Sequence, residues 1–347
     1  MIWIRADANR EIGTGHVMRC LSIAAALKQK GKQVCFLTAD EAALPLLQER
    51  EQDYRVLHTD YRNPEGELEI LESVLAGGQK GFFLADSYYV TKGYFEKAGK
   101  WMPVGYMDDM GRKELPVDVL INYNIFAESS LYGETKDTRL LLGPAYAPLR
   151  EDFLEAPYEV RPRASRVLVT TGGSDRYNLA VQFLERALEN PGTMRLNYSV
   201  VSGAYNVHLR ELQTLERVHG NVRIYRNVRN MKELMQESDI AVTAGGSTMY
   251  ELSAVGVPLL CFSFVDNQER IVEGFKERGL TVFGGNYLTR KEAMLDELVE
   301  KTAMLAADSK LRLACSKRLR QVVDGRGAER IAKVLDDMSC SRACAEV

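Results

Sequence analysis

The chain has 347 residues, 46% of them hydrophobic and 27% charged, which suits a soluble globular protein of about two domains. Forty-five Lys and Arg against 48 Asp and Glu leave a formal charge of −3, so a nucleic-acid polymer is not an expected partner. The most apolar stretch, 254–265, is broken by Gly256, Pro258 and Ser263. It is too short for a bilayer crossing, which needs about 20 residues, so no stable membrane insertion is expected.

Met1-Ile-Trp-Ile-Arg leads straight into a first strand, Ile2–Arg5, and no signal peptide is expected. Val17, Cys20, Leu21, Ala24 and Leu27 then recur at helical spacing, and Gly31 ends that helix. Further strands are expected at Val34–Thr38, Phe82–Ala85, Val104–Met107, Val119–Asn122 and Leu140–Leu142. Pro144, Pro148, Pro157 and Pro162, among many charges, mark a linker. The second half repeats the pattern, with strands at Arg166–Thr170, Tyr198–Val201, Arg223–Tyr225, Ile240–Thr243 and Leu259–Phe264. Its helices are expected at Leu179–Leu188, Met231–Glu237, Met249–Val255 and Arg270–Arg278. Residues 310–336 read as one or two helices with a turn at Asp324-Gly-Arg-Gly.

Alternating strand and helix predicts an α/β protein with one parallel, doubly wound sheet in each half. The expected division is a first domain over 1–143, a linker over 144–165, a second domain over 166–335 and a tail over 336–347. The six cysteines form no C-x-x-C pair. They are expected as buried free thiols in a reducing cytoplasm, those of the tail (Cys340, Cys344) being open.

Ligands of open α/β sheets bind where the strands end at their carboxyl side, and three glycine-rich turns stand there. The first is Asp7-Ala-Asn-Arg-Glu-Ile-Gly-Thr-Gly-His16. Gly13 and Gly15 permit a tight turn and a close approach to ligand. His16 falls at the start of a helix, whose dipole disfavours imidazolium and leaves a neutral base. Asp7 is a candidate to orient His16 or to hold a substrate group; a surface carboxylate fits as well. The second turn, Thr170-Thr-Gly-Gly-Ser-Asp175, offers backbone N–H groups of Gly173 and Ser174 to an anion. The third, Ala244-Gly-Gly-Ser-Thr-Met-Tyr-Glu251, brings Gly245 and Gly246 close, with the hydroxyls of Ser247 and Thr248 as donors and N-cap groups. Glu251 is either a capping-box partner or an acceptor for two ribose hydroxyls. Two such turns point to a nucleoside diphosphate in the second half. No complete G-x-G-x-x-G, no P-loop lysine and no metal-ligand spacing is present. Asp108-Asp109 is a conspicuous acidic pair after a strand, equally well explained as a turn.

These residues carry a resemblance. Ile4-Arg-Ala-Asp…Ile12-Gly-Thr-Gly-His-Val-Met-Arg-Cys20, Asp86-Ser-Tyr88, Leu142-Gly-Pro-Ala-Tyr-Ala-Pro-Leu-Arg-Glu-Asp-Phe153, Gly172-Gly-Ser-Asp175, Ala244–Glu251, Phe262-Ser-Phe-Val-Asp-Asn-Gln268 and Asp324–Ile331 follow in order over residues 2–335. They resemble the UDP-2,4-diacetamido-2,4,6-trideoxy-β-L-altropyranose hydrolases of pseudaminic acid biosynthesis and related spore-coat polysaccharide proteins. Arg176 departs from a frequent proline. The resemblance implies a glycosyltransferase B-type fold, two Rossmann-like domains with an interdomain cleft. It implies metal-independent, inverting hydrolysis of that UDP-sugar to UDP and 2,4-diacetamido-2,4,6-trideoxy-L-altrose, with no cofactor and a small-molecule UDP-sugar as the partner. By it His16 is the base and Tyr88 binds the water or sugar, with Asp7 beside them. Gly13, Gly15, Asn267, Gln268, Gly173 and Ser174 meet the substrate; Gly245, Gly246, Ser247, Thr248 and Glu251 hold UDP. An inverting UDP-sugar glycosyltransferase of the same fold and a non-catalytic nucleotide-sugar binding protein are the alternatives.

Overall fold

The computed structural model describes residues 1–76, 81–133, 137–154, 158–203, 205–226, 228 and 230–341. Pro157 and the tail residues 342–347, Cys344 among them, lie outside these.

Among the described residues the chain forms two all-parallel sheets. The first contains β1 (Ile2–Ala6), β2 (Val34–Thr38), β3 (Asp53–Val56), β4 (Phe82–Asp86), β5 (Val104–Met107), β6 (Val119–Asn122) and β7 (Arg139–Leu142), in the order β3-β2-β1-β4-β5-β6-β7. The second contains β8 (Arg166–Thr170), β9 (Asn197–Ser202), β10 (Val222–Arg226), β11 (Ile240–Ala244), β12 (Leu259–Ser263) and β13 (Gly284–Asn286), in the order β10-β9-β8-β11-β12-β13. Both repeat the Rossmann order, in which the chain runs outward through its first three strands and then returns to place the fourth beside the first. The switch points are therefore β1/β4 and β8/β11.

The central strands are apolar on both faces because helices cover both faces. In the first sheet Trp3, Leu37, Phe83 and Tyr106 pack with Leu71, Tyr94 and Phe95 of α3 (Leu68–Ala76) and α4 (Lys92–Ala98), the short α2 (Leu44–Glu49) lying between β2 and β3. Val17, Cys20, Leu21, Ala24 and Leu27 are buried along α1 (Gly15–Gln29), and Gly31 leaves that helix at φ 74°. In the second unit α5 (Leu179–Glu189), α6 (Leu209–Val218), α7 (Met231–Glu237), α8 (Ser247–Val255), α9 (Asp266–Glu277), α10 (Tyr287–Ala307) and α11 (Ser309–Val322) surround β8–β13. Val167, Phe183, Tyr198, Val242, Phe262 and Leu298 belong to its core.

The chain divides into residues 1–151 with the segment from Gly325 onward, and Asp152–Asp324. This differs from the expected division at both ends. Residues 144–151 are not a free linker: Ala147 and Leu149 are buried. The last helix, α12 (Gly327–Ser341), was expected in the second domain but packs along α1 of the first. Ile331, Ala332 and Leu335 are fully buried, Lys32 pairs with Asp336, and Arg330 donates to the Ala145 carbonyl at 2.8 Å. Gly327 sits so close to this segment that a Cβ there would stand 2.1 Å from the Ala147 carbonyl oxygen.

Candidate active site

At the first switch point β1 ends at Ala6, directly beside Asp86, the last residue of β4. The chain leaves β1 through a compact loop. Asn9 Oδ1 accepts the N–H groups of Glu11 (2.9 Å) and Ile12 (3.0 Å), and the Asn9 and Gly13 backbones pair with each other. Gly13 holds φ 73°, a conformation that side chains disfavour. Gly15 opens α1 exposed to solvent, with nothing within 4 Å of the position a Cβ would take. No side chain caps this helix, so its first N–H groups remain available to an anion.

His16 follows, with its side chain only 4% exposed, and Nδ1 lies 2.5 Å from Asp86 Oδ1. Asp86 is held from two further sides. Arg19, three residues on along the same helix, donates through Nε to Oδ2 (2.6 Å) and through Nη2 to Oδ1 (2.5 Å); the Cys20 thiol donates to Oδ2 at 3.4 Å. Burial would raise this carboxyl, but the charge of Arg19 and the hydrogen bonds from Arg19 and His16 outweigh it and hold Asp86 well below the usual carboxylate range. An ionised Asp86 can only accept, so Nδ1 carries a proton, and in the neutral ring with that proton the Nε2 lone pair is free to act as a base. The Tyr88 ring stands edge-on to His16, centroids 4.5 Å apart at 77°. Burial, reinforced by Asp109, pushes its hydroxyl up to about 12, so it remains a donor at neutral pH.

Asp7 does not orient His16. Its Oδ1 accepts the Ala39 N–H (2.8 Å) and its Oδ2 accepts Arg5 (2.5 Å); Arg5 in turn is bound by Glu67, which also receives the Tyr94 hydroxyl. A buried arginine needs such partners, and Asp7 serves it. The orienting carboxylate is Asp86, 70 positions from His16 in sequence. The acidic pair 108–109 divides its work. Asp108 accepts the N–H groups of Met110, Gly111 and Arg112 and the Tyr132 hydroxyl, which is a turn. Asp109 takes the remaining arm of Arg19 at 2.7 Å.

In the second unit the two expected turns leave β8 and β11, the two strands of its switch point. After β8, Gly172 takes φ 81° and Gly173 and Ser174 are exposed. The helix that follows is already capped: Asp175 accepts the N–H groups of Leu179 (2.7 Å) and Ala180 (3.1 Å). The α5 terminus is thus occupied by Asp175, and the exposed part is the turn itself. After β11, Gly245 has a packing reason to be glycine, since a Cβ would lie 2.9 Å from Gln268 Cβ and 3.0 Å from its carbonyl oxygen. Gly246 is the residue before α8 and has no side chain to cap it, so neither Ser247 nor Thr248 takes the N-cap place. Ser247 is exposed, and Thr248 and Glu251 are half-buried. Gln268 Oε1 accepts the Phe264 N–H at 3.1 Å, and the side chain is half-buried; Asn267 beside it is exposed.

Among the described residues no group of three or more His, Cys, Asp or Glu side chains is arranged to hold a metal ion. No described helix is long and apolar enough to cross a membrane.

Known proteins share this architecture. Residues 166–324 match the glycosyltransferase family 28 C-terminal domain. The chain is 26% identical to the spore coat polysaccharide biosynthesis protein SpsG of Bacillus subtilis, over 97% of this chain and 98% of that protein. It is 24% identical to the UDP-2,4-diacetamido-2,4,6-trideoxy-β-L-altropyranose hydrolase of Campylobacter jejuni, over 81% and 98%. Among solved structures, MurG of Acinetobacter baumannii superposes with a TM-score of 0.70 at 15% identity, covering 97% of this chain and 99% of that one. The fold is therefore the glycosyltransferase B type, with two Rossmann-like units.

Proposed function

We propose that this chain hydrolyses UDP-2,4-diacetamido-2,4,6-trideoxy-β-L-altropyranose to UDP and 2,4-diacetamido-2,4,6-trideoxy-L-altrose, with inversion at the anomeric carbon, in pseudaminic acid biosynthesis. The observation that carries the reading is a histidine whose Nδ1 is held by a buried carboxylate at a switch point, next to an open glycine and edge-on to a tyrosine ring. Its support from relatives is the name of the Campylobacter jejuni protein.

In this mechanism His16 Nε2 removes a proton from the attacking water while Tyr88 donates to the water or the sugar. As the glycosidic C–O bond breaks, negative charge grows on the diphosphate. The backbone N–H groups at Gly246–Thr248, on the positive end of α8, stabilise that charge. Glu251 accepts the ribose hydroxyls. Gly13, Gly15, Gly173, Ser174, Asn267 and Gln268 contact the rest of the substrate. A general base is worth about 10²–10⁴-fold, and no divalent cation is required in this scheme. The buried free thiols of Cys20, Cys35, Cys261 and Cys315 support a reducing, cytoplasmic setting.

The test is UDP release from this nucleotide sugar with a chelator present and no acceptor, followed by proton NMR. Release with the inverted free sugar appearing first is expected, and His16→Asn should lower turnover at least about 10²-fold while UDP affinity is kept. Release that depends on an added acceptor would replace the hydrolase by a glycosyltransferase. Binding without release would replace it by a nucleotide-sugar binding protein.

A further inference from the structure

An aspartate–histidine pair buried alone has a defect as a base: the carboxylate stabilises imidazolium, the form that cannot accept a proton. Here the pair is not alone. The Arg19 guanidinium spans two carboxylates, with Nε and Nη2 on Asp86 and Nη1 on Asp109 Oδ2 at 2.7 Å. It lies against the Tyr123 ring, 5.7 Å from its centroid, and Nη1 also reaches the Tyr123 hydroxyl at 3.3 Å. Its side chain is 10% exposed. Nη2 and His16 Nδ1 converge on one oxygen, Asp86 Oδ1, and stand 3.2 Å from each other. A guanidinium at this distance from the ring, sharing its carboxylate oxygen, disfavours a second positive charge on the imidazole.

Resting on the reading of His16 as the base, we propose that Arg19 is a positioning residue that keeps His16 neutral. It takes most of the charge of Asp86, so that the carboxylate orients the imidazole without paying out a second proton's worth of attraction. Asp109 sets how strongly it does so, since it draws on the same guanidinium. The groups around His16 that bear charge or titrate are Asp86 from β4, Arg19 and Cys20 from α1, Tyr88 after β4, Asp109 after β5 and Tyr123 after β6. Of these, Arg19 is the cation in contact with the ring, so its removal has a direction. With Arg19→Gln, Asp86 has His16 as its counter-charge and imidazolium is favoured. With Asp109→Asn, Arg19 concentrates on Asp86 and imidazolium is disfavoured further.

The experiment reads the ring directly, in the ligand-free full-length chain, by nitrogen NMR of labelled histidine, with the His16 signals assigned by their loss in His16→Asn. In the native chain at neutral pH one pyrrole-type and one pyridine-type nitrogen are expected. In Arg19→Gln the His16 signals should move toward the imidazolium position, while in Arg19→Lys and Asp109→Asn they should stay neutral. The acid limb of the kcat/KM profile should move up by about one pH unit in Arg19→Gln and down in Asp109→Asn. A native imidazolium at neutral pH, or an Arg19→Gln ring that stays neutral while activity falls, would overturn the proposal and leave Arg19 a packing residue. Should Arg19→Gln fail to fold, an Asp109→Asn limb that does not move down has the same force. Because the nitrogen signals need no substrate, they fail or succeed independently of whether the chain hydrolyses the UDP-sugar.

Discussion

Replacing Asp86 by Asn separates the orienting role from the base itself. The amide removes one charge and converts half of the acceptor into a donor. With the NH2 in the place of Oδ1, Arg19 loses one hydrogen bond, at 2.5 Å, and the charge assistance of the other, at 2.6 Å, and His16 loses its bond at 2.5 Å. Breaking a buried ion pair by deleting one partner costs about 3–5 kcal/mol. Arg19 keeps Asp109 and Tyr123, which places the expected loss near the lower end, about 3 kcal/mol. That leaves the fold in place if its stability lies within the usual range of about 5–15 kcal/mol. The chemical loss is larger. An Asn side chain that donates to Nδ1 drives the ring proton onto Nε2 and removes the lone pair that takes the water proton. A wrong tautomer of this kind costs about 10⁴-fold in kcat where it has been isolated. We therefore expect Asp86→Asn to lower turnover by about 10²–10⁴-fold, with UDP affinity kept within a few-fold. The double variant with His16→Asn should be hardly worse than His16→Asn alone, because two residues that act as one unit are not additive. UDP release and urea melts on the four proteins complete the cycle. Turnover of Asp86→Asn within about threefold of native, or multiplying losses in the double variant, would refute the dyad.

Three further outcomes follow from the geometry. Gly15→Ala has room for its Cβ and an ordinary φ, so thermal stability should hold or rise by up to about 1 kcal/mol; turnover should nevertheless fall at least about tenfold, and unchanged turnover would show that the opening serves no ligand. Asp86 is depressed in the folded chain, so its contribution is complete above its unfolded value of about 3.9 and is lost as pH falls through the folded value; urea midpoints should show no Asp86-dependent loss between about pH 7 and 5 and a steeper acid loss below about pH 4 than Asp86→Asn shows. Burial pushes the thiols of Cys35 to about 11 and Cys261 to about 12, and raises those of Cys20 and Cys315; in a Cys340→Ser, Cys344→Ser background a thiol reagent at about pH 8 should find no fast-reacting group until the chain is denatured.

The most legible strands are those buried on both faces. Ile2–Ala6, Val34–Thr38 and Ile240–Ala244 are buried throughout and, Arg5, Thr38 and Thr243 apart, apolar, so they carry their signal in composition. The strands that escaped notice are edges. Asp53-Tyr-Arg-Val alternates exposed and half-buried positions, and Gly284-Gly-Asn has almost no strand preference of its own; each is a strand because a neighbour's open hydrogen-bonding edge accepts it. The long helix α10 also lay outside the expected elements, although Met294, Leu295, Leu298, Val299, Thr302 and Leu305 are buried at helical spacing. The return of α12 to the first unit was out of reach for another reason. An amphipathic helix states which face it buries but not against what, and only the close approach of Gly327 to Ala147 fixes the partner.

The candidate site was half visible for a related reason. His16 stood out because glycines flank it and a strand precedes it, both local signals. Its partner is not local. A carboxylate near in sequence, Asp7, was the natural candidate, yet β1 hands Asp7 to the buried Arg5 and to the Ala39 N–H at the end of β2. The strand order supplies the correct one: β4 is the other neighbour of β1, and Asp86, the residue that closes it, meets His16. In a sheet of this order the acid to look for is the one that ends the fourth strand, in register with the end of the first. Ala6 and Asp86 are paired in that way. The same rule singles out Arg19, since a carboxylate buried at a switch point needs a cation, and a helix places its third residue after a histidine on the histidine's own face. What separates an orienting dyad from a buried ion pair is then whether the ring nitrogen facing away from the carboxylate has something to do, and the open Gly15 and the Tyr88 ring against the imidazole are the features that would give it work.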